Sequence, residues 1–184
     1  MRIDSSLNVF LCGILLLTTT ACSSVFRVDP NDPLEVDEEV EAERDPFKGI
    51  MYYRGPVVSN TADDGGDAPE VEDIALHART EQNRPTRYFL RVTDYYEGDW
   101  RGFDQAFDLA GEKFHALAVH HKVDCTLFCG YDEMLDIELS RKYLDDHAHT
   151  GITMRLYGPS SAASAPFTLP AGYIQGFLKG SYSD

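Results

Sequence analysis

The chain has 184 residues and a formal net charge of −15, from 31 acidic and 16 basic side chains. This length is sufficient for one domain with its own hydrophobic core. The negative charge disfavours nucleic acid as a partner and direct adhesion to anionic lipid headgroups, because both ligands select basic surfaces.

The first residues have the pattern of an export signal. Arg2 provides a basic start, and Val9–Leu17 is an uninterrupted apolar run. This run fits the apolar core of a secretory signal and is shorter than the roughly 20 residues of a membrane-spanning helix. The small residues Thr18–Ala21 suit binding by a peptidase in extended form. We therefore expect residues 1–21 to be a signal peptide.

The segment Thr19-Thr20-Ala21-Cys22 resembles a bacterial lipobox, the site at which a lipoprotein signal peptide is cut before cysteine. The resemblance covers about the first two dozen residues, and Thr19 stands where leucine is commonest in that family. It implies that Cys22 carries acyl chains that anchor the protein, and Ser23 after it favours the outer membrane. The alternative is cleavage by the ordinary signal peptidase after Ala21, which leaves an unmodified thiol at Cys22.

An acidic stretch follows the cysteine. Val28–Phe47 contains nine acids, one base and three prolines. Such a segment buries too little apolar surface to offset its ordering entropy. We therefore predict that residues 22–46 form a disordered acidic tether, and that residues 47–184 form a single β-rich globular domain. The alternative for the acidic stretch is a strip that docks a basic partner or cations.

A second acidic stretch, Asn60–Asp73, contains paired glycines and no aromatic residue. Its aspartates do not have the ligand spacing of a calcium-binding EF-hand loop. We therefore predict a long hairpin loop.

From Phe47 onward, short alternating segments bounded by turn residues predict β-strands. The residue sets expected to share one face of a strand are Ile74, Leu76 and Ala78; Tyr88, Leu90 and Val92; Leu117, Val119, His121, Val123 and Cys125; and Leu135, Ile137 and Leu139. Because the connections are short, the predicted fold is mainly β, or α+β by composition. It is an antiparallel meander or sandwich of about seven strands with two short covering helices.

Two helices are predicted among the strands. Ser140 is a suitable N-cap for the first, which Gly151 ends, and Pro170 suits the first turn of the second. The apolar stripes of these helices are Tyr143, Leu144, His147 and Ala148, and then Tyr173, Ile174, Phe177 and Leu178. Gly172 and Gly176 lie four residues apart, which favours close packing on the sheet or, alternatively, contact with a partner helix.

Cys125 and Cys129 lie between two predicted strands. In an exported protein two such neighbouring cysteines pair, so we predict a structural disulfide. Half of a metal site and a redox function are the alternatives.

The histidines favour neither a metal nor a cofactor site. His120 and His121 are adjacent on a strand and therefore face opposite sides. His147 and His149 lack the three- or four-residue spacing of helical ligands. We accordingly predict no metal and no cofactor.

The stretch Asp94–Asp108 is rich in carboxylates and aromatic residues. Its acids are Asp94, Glu97, Asp99, Asp104 and Asp108, and a pair of them would suit a hydrolase. However, acids are ordinary at turns, and we assign no catalytic residue. The side chains that would form a sugar- or peptide-binding ledge are Tyr95, Tyr96, Trp100 and Arg101. Packing of these aromatic rings across the sheet is the alternative.

These patterns together predict a lipoprotein of the bacterial cell envelope, anchored in the outer membrane with its domain in the periplasm. Its expected role is that of a non-enzymatic interaction or accessory module that binds another envelope protein through a sheet face or edge. A periplasmic hydrolase using carboxylates of residues 94–108 and a metal- or ligand-binding lipoprotein are the alternatives.

Overall fold

The computed structural model describes residues 28–59, 71–125 and 129–181. The predicted signal peptide, Cys22 and most of the predicted acidic hairpin loop lie outside these residues. The strands are β1 (Glu41–Asp45), β2 (Ile50–Arg54), β3 (Val58–Ser59), β4 (Val71–Glu81), β5 (Arg87–Glu97), β6 (Gln105–Asp108), β7 (Lys113–Cys125), β8 (Cys129–Leu139), β9 (Ile152–Tyr157) and β10 (Phe167–Leu169). The helices are α1 (Pro33–Glu38), α2 (Arg141–His147) and α3 (Ala171–Gly180), with a 3₁₀ turn at Pro159–Ser161.

The strands form one antiparallel sheet in the order β1-β2-β4-β5-β8-β7-β6-β9-β10, with β3 also paired to β4. The predicted class, mainly β with covering helices, is therefore confirmed. The described part of the chain contains ten strands rather than about seven. The additional ones are β1, which lies in the predicted tether, and the short strands β3 and β10.

One face of the sheet, called here the inner face, packs against the helices. The predicted inward positions of β4, β5 and β8 are all buried, as is the predicted apolar stripe of α3. Tyr173 of α3 fixes the contact, because its hydroxyl donates to the Pro56 carbonyl at 2.6 Å and accepts from the Leu76 N–H at 3.2 Å. Each large apolar side chain buried here contributes about 1.5–3 kcal/mol to stability.

The prediction of a disordered tether is wrong over Pro33–Asp45. The carboxylate of Asp32 caps α1 by accepting the Leu34 N–H at 2.8 Å, and proline occupies the first turn. Val36 is completely buried, and β1 pairs with β2 in antiparallel register. The acids of this segment are mostly exposed, whereas Val36, with Val40 packed beside it, contacts the hydrophobic core.

The glycines of α3 explain how α1 fits. A Cβ at Gly172 would meet the backbone of Asn31, and a Cβ at Gly176 would meet Pro33 and Val36. The predicted packing of these glycines on the sheet is therefore wrong, since Gly176 lies against α1 and Gly172 against Asn31, just before α1. The small-residue face does receive a partner helix, which is supplied by the chain's own acidic segment. None of the described helices is long and apolar enough to cross a membrane.

Candidate functional site

A pair of buried carboxylates lies on the inner face where β5 and β8 are neighbours. Asp94 and Glu133 are directly opposite each other in the register, and both are almost completely buried. Glu133 accepts hydrogen bonds from the Tyr96 hydroxyl, from Gly102 N at 3.1 Å and from Phe103 N at 3.2 Å. The pKa of the Tyr96 hydroxyl is raised well above its ordinary value, mainly by burial and secondly by this bond to Glu133. Glu133 thus holds the backbone that follows β5 against the sheet.

Glu133 was missed as a site residue, although the alternation of β8 contains the signal. It has the same parity as Leu135, Ile137 and Leu139, which point inward. An acid at such a position is buried, and a buried acid requires hydrogen-bond donors.

The predicted ledge is assembled only in part. The Arg101 guanidinium lies 4.4 Å from the centre of the Tyr96 ring and 4.0 Å from a carboxylate oxygen of Asp94. Trp100, about half exposed, contacts the ring of Tyr131, with ring centres 6.0 Å apart. Tyr95 lies on the opposite face of β5 from Tyr96, so it does not join the other three predicted residues.

The carboxylates of the predicted hydrolase stretch do not converge. Asp94 is buried beside Glu133, whereas Glu97, Asp99 and Asp104 are exposed. Burial by itself raises the pKa of Asp108, but hydrogen bonds from the backbone around Glu112 and from the Tyr143 hydroxyl lower it overall. Asp108 therefore fixes the β6–β7 turn as a carboxylate.

The cysteines close the hairpin between β7 and β8. Cys125 and Cys129 are opposite each other in the register, with Cα atoms 4.1 Å apart and sulfur atoms at disulfide-bonding distance. Within the described residues, no group of three or more His, Cys, Asp and Glu side chains is arranged to hold a metal ion.

The predicted common face of β7 is wrong, because the register between β7 and β8 shifts between Ala118 and His120. This bulge reverses the alternation. Leu117 is opposite Asp136, on the outer face, whereas His121 is opposite Glu133, on the inner face. The ring of His121 accordingly contacts Trp100 at 5.2 Å between ring centres.

The same part of β7 is also an open edge. Pairing with β6 ends at His115, and from Leu117 to Cys125 the strand pairs with β8 alone among the described residues. This segment, Leu117–Cys125, is called here the open edge of β7. Leu117, Val119 and Val123 within it are exposed, although all are large apolar side chains.

A groove of about 390 Å³ lies on the outer face of the sheet, and no pattern in the sequence predicted it. We call it the arginine groove and define it by Arg54, Arg79, Arg87 and Arg91 with Phe89 and Asp136. Burial lowers the pKa of the groove residue His77 to about 4; the positive charges of Arg91 and Arg54 lower it further, and Asp136 opposes them. The imidazole of His77 is therefore neutral at pH 7.

No protein-family model matches the chain, and neither a curated protein nor a solved structure matches it significantly. The fold and its surfaces define the class of the protein: a mainly antiparallel β domain with short covering helices. The outer face carries a groove lined by ion-paired arginines, and β7 has an open edge with exposed apolar side chains.

Proposed function

We propose that this chain is a lipid-anchored accessory protein of the bacterial cell envelope. The anchor is Cys22, in the outer membrane, and the domain lies in the periplasm. There it binds an extended segment of another envelope protein along the open edge of β7. The support for the location is the apolar run before Cys22 together with the lipobox-like segment.

The observation that carries the binding role is the clustering of exposed apolar side chains at the open edge of β7. Leu117, Val119 and Val123 are 62%, 48% and 45% exposed. Trp100, which is about half exposed and contacts His121 of this edge, adds an aromatic side chain. Contiguous exposed apolar surface is typical of interaction sites on soluble domains.

The two ends of the strand order differ from this edge. Edge strand β1 carries Glu41, Glu43, Arg44 and Asp45, and edge strand β10 is only three residues long. Charged and very short edge strands discourage pairing with another chain. The open edge of β7 spans nine residues, roughly 30 Å of extended backbone. Lys122 and Asp124 are its only Lys, Arg, Asp or Glu residues, against four in the five residues of β1. A partner strand is therefore best accommodated at β7.

The bulge in β7 makes this edge apolar on both faces. Leu117 points to the outer face, whereas Val123 lies opposite Tyr131 on the inner face. A strand added here would contribute alternate side chains to both faces, with Leu117 as an apolar neighbour on the outer face and Val123 on the inner face. The disulfide at the end of the hairpin limits the conformations of this edge before a partner binds.

The test is site-specific photo-crosslinking in intact cells, with the photoreactive residue at Val119 in the full chain. The control position is Leu109, which is 86% exposed but lies in the β6–β7 turn. We expect one dominant crosslinked adduct with an envelope protein from position 119. The same adduct should not form from position 109. The adduct should decrease with Cys22→Ala, because that chain loses its anchor.

A variant that blocks strand pairing distinguishes it from nonspecific hydrophobic binding. Val123→Lys places a charge on the edge and should remove the adduct formed from position 119, whereas Leu109→Lys should retain it. Identical adducts from positions 119 and 109 would contradict the proposal, as would an adduct that survives Val123→Lys.

A further inference from the structure

Part of the outer face of the sheet carries cations and no acid. It lies on β6, β9 and the first residues of β7, and we call it the acid-free patch. Its outward-facing residues are Lys113, His115, Gln105, Phe107, Arg155 and Tyr157. Their strand neighbours Ala106, Leu156 and Ala116 are buried on the inner face, which places these six side chains on the outer face. Such a surface is unexpected in a chain with a formal net charge of −15.

The two cations of the patch are not neutralised by the protein. Most Lys and Arg residues in the described ranges form an ion pair, as Arg87 does with Glu138. Within the same ranges, neither Lys113 nor Arg155 forms one. Both residues are exposed, so a partner can reach their charged groups. The positive charge of the patch is therefore uncompensated and accessible.

The cations lie on either side of an aromatic ring. Phe107 of β6 is directly opposite Lys113 of β7 and directly opposite Arg155 of β9 in the antiparallel register. Directly opposed residues have Cβ atoms about 5 Å apart, so the Cβ atoms of the two cations are separated by roughly 10 Å. The three side chains thus form a row across three strands, with the apolar ring between the two charges.

A cavity beside Phe107 can receive one apolar side chain. It has a volume of about 280 Å³, and its lining includes Phe107, Tyr157, Pro166 and Arg155. The rings of Phe107 and Tyr157 meet edge to face, with their centres 5.4 Å apart. The volume is below the roughly 300–1,000 Å³ of sites that enclose whole small molecules. The cavity therefore suits a single side chain of a larger partner.

The one acid in the described lining of this cavity, Asp108, is bound elsewhere. Its carboxylate accepts hydrogen bonds from the Tyr143 hydroxyl at 2.9 Å and from the Glu112 N–H at 2.8 Å. Among the described residues it forms no ion pair with Arg155. Asp108 therefore leaves the charge of Arg155 to a partner.

We propose that the acid-free patch docks an extended acidic segment of a partner protein, in which two carboxylates flank an apolar side chain. Alternate residues of an extended chain lie on one side about 7 Å apart, so the first and fifth residues are about 14 Å apart. Lys and Arg side chains are long enough to meet carboxylates at that separation. One carboxylate binds Lys113 and the other binds Arg155, while the apolar side chain between them enters the cavity beside Phe107.

Charge complementarity determines the choice of partner. The rest of this acidic protein repels an acidic segment, so the segment is directed to the one region where cations are uncompensated. The proposal is independent of strand pairing at the open edge of β7, because it uses outward-facing side chains of other strands. The two proposals are also tested by different measurements, so that either can fail alone.

The experiment is an NMR titration of the full chain in detergent solution with the end-blocked peptide Glu-Gly-Phe-Gly-Glu. The peptide Gln-Gly-Phe-Gly-Gln removes the charges, and Glu-Gly-Gly-Gly-Glu removes the apolar side chain. We expect the first peptide to shift backbone amide signals of β6 and β9 and to bind more tightly than either control. An exposed ion pair is worth up to about fivefold in affinity, so loss of both should weaken binding by about 3- to 30-fold. Absence of binding, or equal affinity of the Glu and Gln peptides, would overturn the proposal.

Arg155→Gln and Arg44→Gln are a matched pair of variants. Arg44 of β1 is also exposed and forms no ion pair among the described residues, but it lies at the other end of the strand order. Arg155→Gln should weaken binding of the Glu peptide by about two- to fivefold and leave the Gln peptide unchanged. Arg44→Gln should leave both unchanged. Equal weakening by the two variants would show general charge attraction and refute the site.

A second variant tests the other end of the row. Lys113→Gln should weaken the Glu peptide as Arg155→Gln does, and unchanged affinity would refute the docking of two carboxylates. A second copy of this acidic chain is the other occupant that the charges allow. Sedimentation velocity of the full chain should show no self-association that depends on Arg155. Self-association that Arg155→Gln abolishes would overturn the assignment to a different protein.

Discussion

The docking of α1 against α3 predicts that Val36→Ala is destabilising, although Val36 belongs to an acidic segment. Val36 is completely buried, and its side chain lies against the position of Gly176. The substitution removes two methyl-sized groups at about 0.8 kcal/mol each, and the cavity left behind adds to the cost. The higher helix propensity of alanine returns up to about 0.6 kcal/mol. We expect a net loss of about 1.5–2.5 kcal/mol.

Leu34→Ala is the matched control, because Leu34 lies on the same helix and is 62% exposed. Its expected effect is within about 0.5 kcal/mol of zero. Urea unfolding of the full chain, followed by far-ultraviolet circular dichroism, measures both effects as shifts in midpoint at constant slope. If Val36→Ala and Leu34→Ala had equal midpoints, α1 would not be docked and the acidic segment would behave as a tether after all.

Two further predictions concern buried polar groups. Tyr173→Phe leaves the Leu76 N–H and the Pro56 carbonyl without their side-chain partner, so urea unfolding should show a loss of about 1–3 kcal/mol. An unchanged midpoint would show that this bond does not hold α3 on the sheet. For His77, the pKa falls from 6.5 to about 4 in the folded state, so the unfolded chain alone binds a proton between these values. Stability contributed by His77 is therefore complete above pH 6.5 and decreases by about 2–3 kcal/mol towards pH 4. The stability difference between wild type and His77→Gln should shrink accordingly between pH 7 and pH 4.5, and a constant difference would contradict this assignment.

The parts of the fold that the sequence predicted correctly are those controlled by local pattern. The inward sets of β4 and β5 follow from strict alternation, which specifies a strand with one buried face. The N-cap of α2 is equally local, since the Ser140 hydroxyl accepts the Tyr143 N–H at 3.0 Å. The β6–β7 turn follows from Gly111, whose φ of 84° suits glycine.

The prediction of a disordered tether failed at α1 because the acidic composition of the segment was given more weight than its local helix-start pattern. Nine acids in twenty residues indicate disorder, yet Asp32, Pro33 and Glu35 have the spacing of a helix start. Glu35 accepts the backbone N–H of Asp29 at 2.9 Å and so ties the chain before the helix to its first turn. A helix of six residues is not stable alone, and it forms because the glycines of α3 allow Val36 to approach closely. Gly176, which allows this approach, lies 140 residues after Val36, so the helix could not be inferred from the acidic segment alone.

The arginine groove and the open edge of β7 were not predicted for a related reason, because both depend on strand order and register. Arg79 and Arg87 are joined by one hairpin, so their proximity could have been predicted from the turn length. The approach of Arg91 to Asp136 requires that β5 lie beside β8, although β8 is more than 30 residues further along the chain. The bulge in β7 is similarly hidden, since the alternation of apolar residues continues through Val119 without interruption.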